Sequence, residues 1–458
     1  MYDKSVTDPL YGTISLTKTE ADVVSAKTFQ RLHNVRQLGL AHLVFPSAGY
    51  SRFAHSIGAA HNASRMLDAI ELNAGTSLDK GYKQAYRMAA LLHDVGHYPF
   101  SHTTEHAVDD FYAGSLLQGS LLDGDDYSGS VNHEEVGSLI LDHDPEIEKI
   151  LSSSASIDLA LLKGIFSKTI PDPLFGIISS ELDCDRLDYL GRTSKQSGVP
   201  FGTVDTEFII SKATLGDEGE LVFDRKASKA IDHLLVGRYY DYMQMVHHKT
   251  VEGLEWSLAE CIKYALSEDN GLLSKGYVAD SIVRGNWWQN DDNWFIDIFK
   301  RLEASVGSSE SDVVLHDHLA AILYRRPAKR LWKWEAIKDR EDDQINTNFK
   351  LAQKAVRDVS TALSLNPKRF HIADRRFKLV KLSAGDCNAE GASEEKARSV
   401  KIRSRTGVGY LVEDQSLLLH KLSAVRNFAV SIYYLPAEHE KKEFREQIRS
   451  RLNSEFAS

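Results

Sequence analysis

Histidine and aspartate stand at separate points along the chain in a pattern that suits a metal ion. His55, the adjacent pair His93 and Asp94, and Asp185 are the residues concerned. An ionised aspartate at the end of a buried helix is costly unless a positive charge neutralises it. A divalent cation does so, and it accepts both imidazole nitrogen and carboxylate oxygen. Two nitrogens and two oxygens leave positions open on a metal that prefers about six ligands, which predicts a catalytic cation.

Three further histidines, His97, His102 and His133, lie near this pair in the sequence. A single His-Asp pair in a helix is more often structural than catalytic. Three additional histidines exceed what core packing requires, and histidine is the side chain best suited to proton transfer near neutral pH. The set therefore favours a catalytic site over a purely structural pair.

Helices are expected to position these residues. Residues 55–72 and 84–95 carry apolar side chains at helical spacing, and the second segment is apolar on most sides, as a buried helix is. A further helix is predicted over residues 175–192, which include Asp185. Residues 103–131 are rich in Ser, Gly and Asp and are predicted to form a loop. If the helices pack as a bundle, the four ligands can converge on one ion.

Composition excludes several classes of protein. The 458 residues are 42 % hydrophobic and 26 % charged, as in an ordinary globular chain. No apolar run approaches the ~18 residues of a membrane helix, so no membrane partner is expected. Three widely spaced cysteines argue for a reducing, cytoplasmic location. A net charge of −10 disfavours a dedicated duplex-DNA binder but allows a small anionic ligand.

Secondary-structure patterns change along the chain. Helical periodicity dominates the first 265 residues, whereas residues 400–410 and 429–434 alternate as strands do. We therefore expect a mainly α fold with a helical core over residues 1–265 and a helical extension over 266–375. A smaller mixed α+β region is expected over 376–458, with a disordered linker at 385–395.

An ordered set of short motifs resembles one family. These motifs are Asp8-Pro9-Leu10-Tyr11-Gly12, Phe29-Gln30-Arg31-Leu32, Arg36-Gln37-Leu38-Gly39, Ser51-Arg52-Phe53-Ala54-His55, His93-Asp94-Val95-Gly96-His97, Pro99-Phe100-Ser101-His102, His133-Glu134 and Asp183-Cys184-Asp185-Arg186-Leu187-Asp188-Tyr189. The set is similar to the HD-domain phosphohydrolases, and within them to the deoxynucleoside triphosphate triphosphohydrolases. The resemblance covers residues 5–265 and is weak beyond. It implies that the helical core is an HD domain.

The resemblance implies a cofactor and a reaction. One divalent metal ion (Mn, Mg, Fe, Zn or Ni, between which the sequence does not decide) would be held by His55, His93, Asp94 and Asp185. The substrate would be a deoxynucleoside triphosphate, and water would attack its α-phosphorus to release deoxynucleoside and triphosphate.

The resemblance also implies roles for other residues. His102 would be the acid or base near the leaving 5′-oxygen, with Glu105 as its orienting carboxylate. The remaining implied contacts are with the α-phosphate (His97, His133), the other phosphates (Arg52, Arg186, Arg238), and the sugar and base (Gln37, Leu38, Tyr189). Structural alternatives stay open for several of these, because Arg186 can instead pair with Asp183 and Tyr189 can instead be a core residue.

Departures from the family pattern leave some properties open. Ser25 and His33 stand where vertebrate members of the family place residues that read an activating guanine, so the need for a nucleotide effector is undecided. Thr193 replaces an aspartate, and Val246 replaces a tyrosine beside the base, which leaves base preference open. The family implies a homo-oligomer.

A basic run, Arg325, Arg326, Lys329, Arg330 and Lys333, interleaves with aromatic residues. It can bind an effector nucleotide, a subunit carboxylate or a nucleic acid. A solvated helix face is the simpler interpretation. Two alternatives to the triphosphohydrolase therefore remain: a phosphodiesterase or nuclease acting on single-stranded nucleic acid or a cyclic nucleotide, and a catalytically silent nucleotide-binding regulator.

Overall fold

Helices make up most of the structure. The computed structural model describes residues 2–117, 129–169, 172–269, 271–338, 343–384, 387 and 393–457. Within these ranges the sheets are small, and the expectation of a mainly α fold with strands towards the C-terminus is confirmed. No helix in the described part of the chain has the length and apolar character needed to cross a bilayer.

The N-terminal segment forms a hairpin and two short helices. These are β1 (Tyr2–Asp8), β2 (Gly12–Thr17), α1 (Lys18–Ser25) and α2 (Lys27–Gln30). The two strands pair antiparallel, and Gly12 begins β2 with a positive φ of 75°, which glycine adopts without steric cost.

Eight helices follow and surround the candidate site. They are α3 (Arg52–Ala74), α4 (Lys80–Leu92), α5 (His102–Leu117), α6 (His133–His143), α7 (Pro145–Ser152), α8 (Leu159–Ser167), α9 (Cys184–Ser197) and α10 (Thr206–Ile210). Helix α3 packs against both α4 and α9. Because Ile57, Ala60 and Leu67 of α3 are almost fully buried, this helix lies at the centre of the bundle.

Two of the secondary-structure predictions for this region are wrong. Residues 102–117 form helix α5, because Ala107, Val108 and Tyr112 fall on one face and are buried there. The helix predicted over 175–192 is interrupted. Only Phe175–Ile177 form a helical turn, and α9 starts afresh where the Asp183 carboxylate accepts a hydrogen bond from the Arg186 N–H at 2.9 Å.

The middle of the chain, residues 213–323 as far as the structure describes them, adds two short strands and five α-helices. Its elements are β3 (Ala213–Leu215), β4 (Leu221–Asp224), α11 (Ser228–Asp241), α12 (Lys249–Glu268), α13 (Lys275–Val283), α14 (Asp292–Ser305) and α15 (Glu310–Leu323). A π-helical turn, Tyr242–Val246, joins α11 to α12. Such turns often occur at functional sites, because they change the direction of the side chains that follow.

The C-terminal region mixes strands and helices. Its elements are β5 (Lys329–Lys338), α16 (Asp343–Ala362), β6 (Phe370–Lys378), α17 (Ser393–Arg398), β7 (Lys401–Ser404), β8 (Gly407–Tyr410), α18 (Leu418–Leu422), β9 (Arg426–Tyr434) and α19 (Lys442–Ala457). β5, β9 and β6 form an antiparallel sheet with β9 in the centre. Helices α16 and α19 pack against this sheet.

The basic run lies mainly on a strand, so its interpretation as a helix face is wrong. From Lys329 onwards it belongs to β5, which pairs with β9 over its whole length. Leu331 is buried in the core beneath the sheet, whereas Arg330 and Lys333 are only partly covered. Alternation along a strand explains how charged and aromatic side chains can interleave here.

Segments distant in sequence share one sheet and one core. β4 pairs in parallel with β7, so residues 221–224 and 401–404 lie side by side in the sheet β3-β4-β7-β8. A single apolar cluster includes residues from Ile14 to Leu419. The domain limits at residues 265 and 375 stay predictions. The linker predicted at 385–395 lies mostly outside the described residues.

Candidate active site

Donor groups from three helices lie close together: one ligand atom from each of His55, His93 and Asp185 lies within 4.8 Å of the other two, and Asp94 adjoins this group. His55 lies in the first turn of α3, His93 and Asp94 follow the end of α4, and Asp185 lies in the first turn of α9. His55 Nε2 is 3.2 Å from His93 Nε2 and 2.9 Å from Asp185 Oδ1. Asp94 Oδ1 is 3.3 Å from His93 Nε2. Ligands bound ~2.1 Å from one ion at right angles lie ~3 Å apart, so this spacing suits a single cation.

The far nitrogens of both imidazoles are held by acceptors. His55 Nδ1 lies 2.7 Å from Asp188 Oδ2, and His93 Nδ1 lies 2.7 Å from the Ala90 carbonyl oxygen. A proton on each Nδ1 leaves a lone pair on each Nε2, and these two atoms face one another. Metal-binding histidines are typically oriented in this way. Facing nitrogens of this kind need either a proton or a cation between them, and once His55 has lost its second proton the donor set fits a divalent cation.

The charge balance at this point also favours a cation. Three carboxylates, Asp94, Asp185 and Asp188, surround the fully buried His55. Burial opposes protonation of His55, but its hydrogen bonds to Asp185 and Asp188 outweigh burial and raise its pKa to about 10. The same excess of negative charge stabilises a bound metal ion.

Arg52 is tied to one of these carboxylates. Its Nη1 lies 2.5 Å from Asp94 Oδ2, and its Nε donates to Ser101 Oγ at 2.9 Å. The side chain is 2 % exposed. Burial would raise the pKa of Asp94, but the charges of Arg52 and the neighbouring histidines hold it well below its usual value. Asp94 is therefore an anion whose orientation Arg52 fixes.

A second polar cluster adjoins the first. Glu105 Oε2 lies 3.0 Å from His102 Nδ1, and Glu105 Oε1 lies 2.9 Å from His133 Nδ1. Burial would raise the pKa of Glu105, but its hydrogen bonds with the two histidines lower it strongly. His97 stacks on His133 with ring centroids 4.0 Å apart, and its Nε2 lies 3.2 Å from Asp94 Oδ1. The two clusters thus touch through His97.

The second cluster suits proton transfer better than metal binding. One donor atom from each of His97, His102, Glu105 and His133 lies within 4.8 Å of the others. However, the rings of His97 and His133 are tilted by only 14°. Lone pairs of parallel stacked rings point in parallel directions and do not converge on one ion. A carboxylate that orients two imidazoles is instead an arrangement for moving protons.

Both clusters border a cavity of about 590 Å³, a volume within the usual range for ligand sites. Residues proposed from the sequence that line this cavity are Gln37, Leu38, Arg52, His93, Asp94, His97, His102, His133, Asp185, Arg186, Tyr189 and Arg238. His55 and Glu105 are not among the lining residues, but each contacts residues that are. Val246 also lines the cavity, whereas Thr193 is buried and forms a 2.7 Å hydrogen bond with the Tyr50 hydroxyl.

Two of the cavity arginines have structural partners. Arg186 donates to the Asp183 carboxylate and to the Ser180 carbonyl. This ion pair is largely buried at the cavity wall, not at the surface. Arg238 donates to the Leu379 carbonyl at 3.2 Å and lies 5.4 Å from the centre of the Tyr242 ring. In each arginine the buried Nε has no hydrogen-bond partner within the described residues.

Sequence reasoning missed Asp188. This residue bridges His55 and Arg192, whose Nε and Nη2 donate to the two carboxylate oxygens at 2.8 Å each. A signal existed, because residues three apart share a helix face and Asp188 follows Asp185 at that spacing. Asp188 was left unassigned because an aspartate near arginines is usually an ordinary ion-pair partner.

Comparison with known proteins agrees with this geometry. Residues 52–185 match the family model described as the HD domain, and the match contains all four candidate ligands. This match confirms the resemblance of the chain's motifs to HD domains over residues 52–185.

Individual relatives are similar over part of their length. The chain is 30 % identical over 301 residues to the uncharacterized protein MJ1154 of Methanocaldococcus jannaschii, covering 65 % of this chain and 58 % of that protein. It is 27 % identical over 270 residues to the deoxynucleoside triphosphate triphosphohydrolase SAMHD1 homolog of Dictyostelium discoideum, covering 57 % of this chain and 49 % of that protein. The chain thus spans 58 % and 49 % of the length of these two relatives.

The fold as a whole is known. A crystal structure of a hypothetical protein from Aquifex aeolicus superimposes with a TM-score of 0.71 and covers 99 % of this chain and 100 % of its own. The two sequences are 23 % identical, so the likeness concerns the fold.

Proposed function

We propose that the protein is a cation-dependent phosphohydrolase that converts deoxynucleoside triphosphates to deoxynucleoside and inorganic triphosphate. One observation carries this proposal: the cation site and the His102–Glu105–His133 cluster border the same 590 Å³ cavity. Similarity to the triphosphohydrolase from Dictyostelium discoideum supports the choice of substrate.

In the proposed reaction, a water oxygen bonds to the α-phosphorus while the bond from that phosphorus to the 5′-oxygen breaks. A cation held by the four ligands would polarise a phosphoryl oxygen and lower the pKa of a bound water. The leaving 5′-oxygen needs a proton, and we assign His102 as its donor. Its side chain is 57 % exposed at the cavity, and Glu105 holds its Nδ1 so that Nε2 remains available.

Arginine side chains would balance the charge of the triphosphate. Arg186 and Arg238 line the cavity and retain guanidinium groups that can face phosphate oxygens. Arg52 also lines the cavity, but it forms an ion pair with Asp94. Its main role would therefore be to orient the Asp94 carboxylate. Fixed positive groups aimed at developing negative charge stabilise the transition state of phosphoryl transfer.

Product analysis tests the reaction. Purified protein is loaded with Mn²⁺ or Mg²⁺ and incubated with each of the four deoxynucleoside triphosphates, and the products are separated chromatographically. We expect deoxynucleoside and tripolyphosphate in equal amounts. Nucleoside mono- or diphosphate would contradict the proposed bond cleavage, and cleavage of a labelled single-stranded oligonucleotide would favour a nuclease instead.

A further inference from the structure

Asp241, the last residue of α11, is a buried carboxylate that the proposed mechanism does not use. It is 2 % exposed and lines the cavity. Its Oδ1 forms no hydrogen bond with any residue that the structure describes. A buried polar atom without a partner costs free energy, so native proteins seldom retain one unless a ligand or water satisfies it. Because Asp241 Oδ1 lies at the wall of a ligand cavity, we expect a donor group on the ligand to form a hydrogen bond with it.

The nearest charged group does not satisfy this carboxylate. Arg238 lies one turn earlier on α11, but its guanidinium donates to Leu379 and stacks on Tyr242. No ion pair joins Arg238 and Asp241 within the described residues. Burial raises the pKa of Asp241 to about 7 although the charge of Arg238 opposes this. The ionised carboxylate repels phosphate oxygens, and the donors that a nucleotide offers besides its phosphates are uncharged sugar hydroxyls and base N–H groups.

A second unpartnered acceptor lines the same cavity. Gln37 Oε1 is buried and has no hydrogen-bond partner among the described residues. The Gln37 N–H donates to the Tyr50 carbonyl at 3.2 Å, and the Tyr50 hydroxyl bonds to Thr193. Burial raises the pKa of Tyr50, and the charge of Asp241 adds to this, which places Asp241 within electrostatic reach of the same tyrosine. Since Thr193 is engaged by Tyr50, Gln37 and Asp241 are the free acceptors here.

We infer that Asp241 accepts a hydrogen bond from an uncharged donor on the nucleoside part of the substrate, either a sugar hydroxyl or a base amino group, and so determines specificity. This inference rests on the proposed function. In this scheme Arg186 and Arg238 bind the triphosphate, whereas Asp241 and Gln37 accept hydrogen bonds from the nucleoside. Asp241 is a binding residue in this scheme and takes no part in proton transfer.

The test compares Asp241→Leu, which has no acceptor, with Asp241→Asn, which keeps one. The matched control is Tyr240→Ala, because Tyr240 precedes Asp241 and its side chain is 47 % exposed. Binding constants and kcat/KM are measured for deoxyadenosine triphosphate, for its 2′,3′-dideoxy analogue, which lacks the 3′-hydroxyl, and for the deoxypurine analogue, which lacks the amino group. Circular dichroism and Tm show whether each variant is folded.

We expect the wild type and Tyr240→Ala to prefer the parent nucleotide over one analogue by ~10- to 100-fold, the size of a hydrogen bond to a charged group. Asp241→Leu should remove that preference and leave the analogue unchanged, and Asp241→Asn should be intermediate. The analogue that the wild type discriminates against shows whether the 3′-hydroxyl or the base amino group donates to Asp241. If Asp241→Leu keeps the full preference for the parent nucleotide over both analogues, the inference about Asp241 is wrong and the proposed function is unaffected. If Asp241→Leu does not fold, the same result for Asp241→Asn decides. A wild type that binds none of the three nucleotides and hydrolyses none of the four deoxynucleoside triphosphates overturns the proposed function as well.

Discussion

At the scale of single residues, the cation site depends on groups that do not bind the ion. His55 presents Nε2 only because Asp188 holds Nδ1, and Asp188 is itself held by Arg192. Asp94 is oriented by Arg52. Partners of this kind fix the tautomer and direction of a ligand, and their loss weakens metal binding even though each ligand is still present.

Replacement of Asp188 tests this dependence. Asp188→Asn keeps the shape of the side chain but removes the charge opposite His55 and Arg192. We expect affinity for the cation to fall ~10- to 100-fold. Elemental analysis after dialysis against graded chelator concentrations measures the change, and Asp22→Asn, at an exposed ion pair on α1, is the control. Equal affinity in wild type and Asp188→Asn would show that the carboxylate does not orient His55.

A second substitution separates metal binding from turnover. His102→Ala removes the group proposed to protonate the leaving oxygen but leaves the four ligands intact. We expect unchanged cation content and a loss of ~10²- to 10⁴-fold in kcat. The exposed His143 on α6 provides the control variant, His143→Ala. A His102→Ala enzyme with wild-type turnover would remove His102 from the mechanism.

Candidate ligands could be proposed from the sequence because an adjacent His-Asp pair is unusual at the end of an apolar segment. Asp188 and Asp241 could not be assigned in the same way. The role of Asp188 depends on the packing of α3 against α9, and the position of Asp241 depends on the turn that ends α11. The spacing of Asp185 and Asp188 places both on one face of a helix, but neither packing relation itself can be predicted from the sequence.

At the scale of elements, a close approach between two segments holds the clusters together. A Cβ on Gly96 would lie 2.2 Å from the His133 carbonyl oxygen and 2.4 Å from the Gly137 nitrogen, both backbone atoms of α6. Only glycine allows this contact. The start of α6, and His133 with it, is therefore placed by the residue that follows the HD pair by two positions.

Gly96→Ala should separate these segments. We expect a loss of ~1–3 kcal/mol in the free energy of unfolding, as overpacking in a close contact usually costs, together with reduced kcat because His133 moves. Urea unfolding and steady-state kinetics measure the two effects. Gly191→Ala in α9 is the matched control, since its Cβ would meet only Leu10 at 3.4 Å, an ordinary contact. Similar behaviour of the two variants would contradict this account.

Helices and strands could be predicted where the local spacing of apolar residues determines them. They could not be predicted where packing against segments far away in the sequence determines them. α3 and α4 were expected because their apolar spacing is clear. α5 was missed because its Ser, Gly and Asp neighbours resemble a loop, although tertiary burial of one face stabilises the helix. β5 was mistaken for a helix face because its partner strand β9 lies far along the chain.

At the scale of the whole molecule, the C-terminal sheet docks on the helical core through buried aromatic and histidine rings. Trp256 of α12 stacks on His371 of β6 at 5.2 Å and meets His318 of α15 edge-on at 4.9 Å. Burial lowers the pKa of His318 to about 3 and that of His371 to about 4. Both rings are therefore neutral in the folded protein at physiological pH.

Stability should fall as the pH falls below ~6.5, the ordinary pKa of histidine. Between that pH and about 4 the unfolded chain binds protons at these two positions and the folded chain does not, so protonation favours unfolding. Each histidine contributes up to ~1.4 kcal/mol per pH unit. Urea unfolding from pH 7 to 4.5 measures the slope, and His371→Phe should make it shallower. An identical slope in the variant would contradict the prediction.

The cavity wall contains residues that are far apart in the sequence. Gln37 and Arg398 both line it, and the Glu181 N–H bonds to the Arg398 carbonyl at 2.8 Å. During synthesis on a ribosome, the metal ligands emerge long before the residues that close the pocket. A chain cut before Arg398 would therefore retain all four candidate metal ligands but lose part of the cavity wall, so loss of this segment should impair substrate binding without removing any ligand.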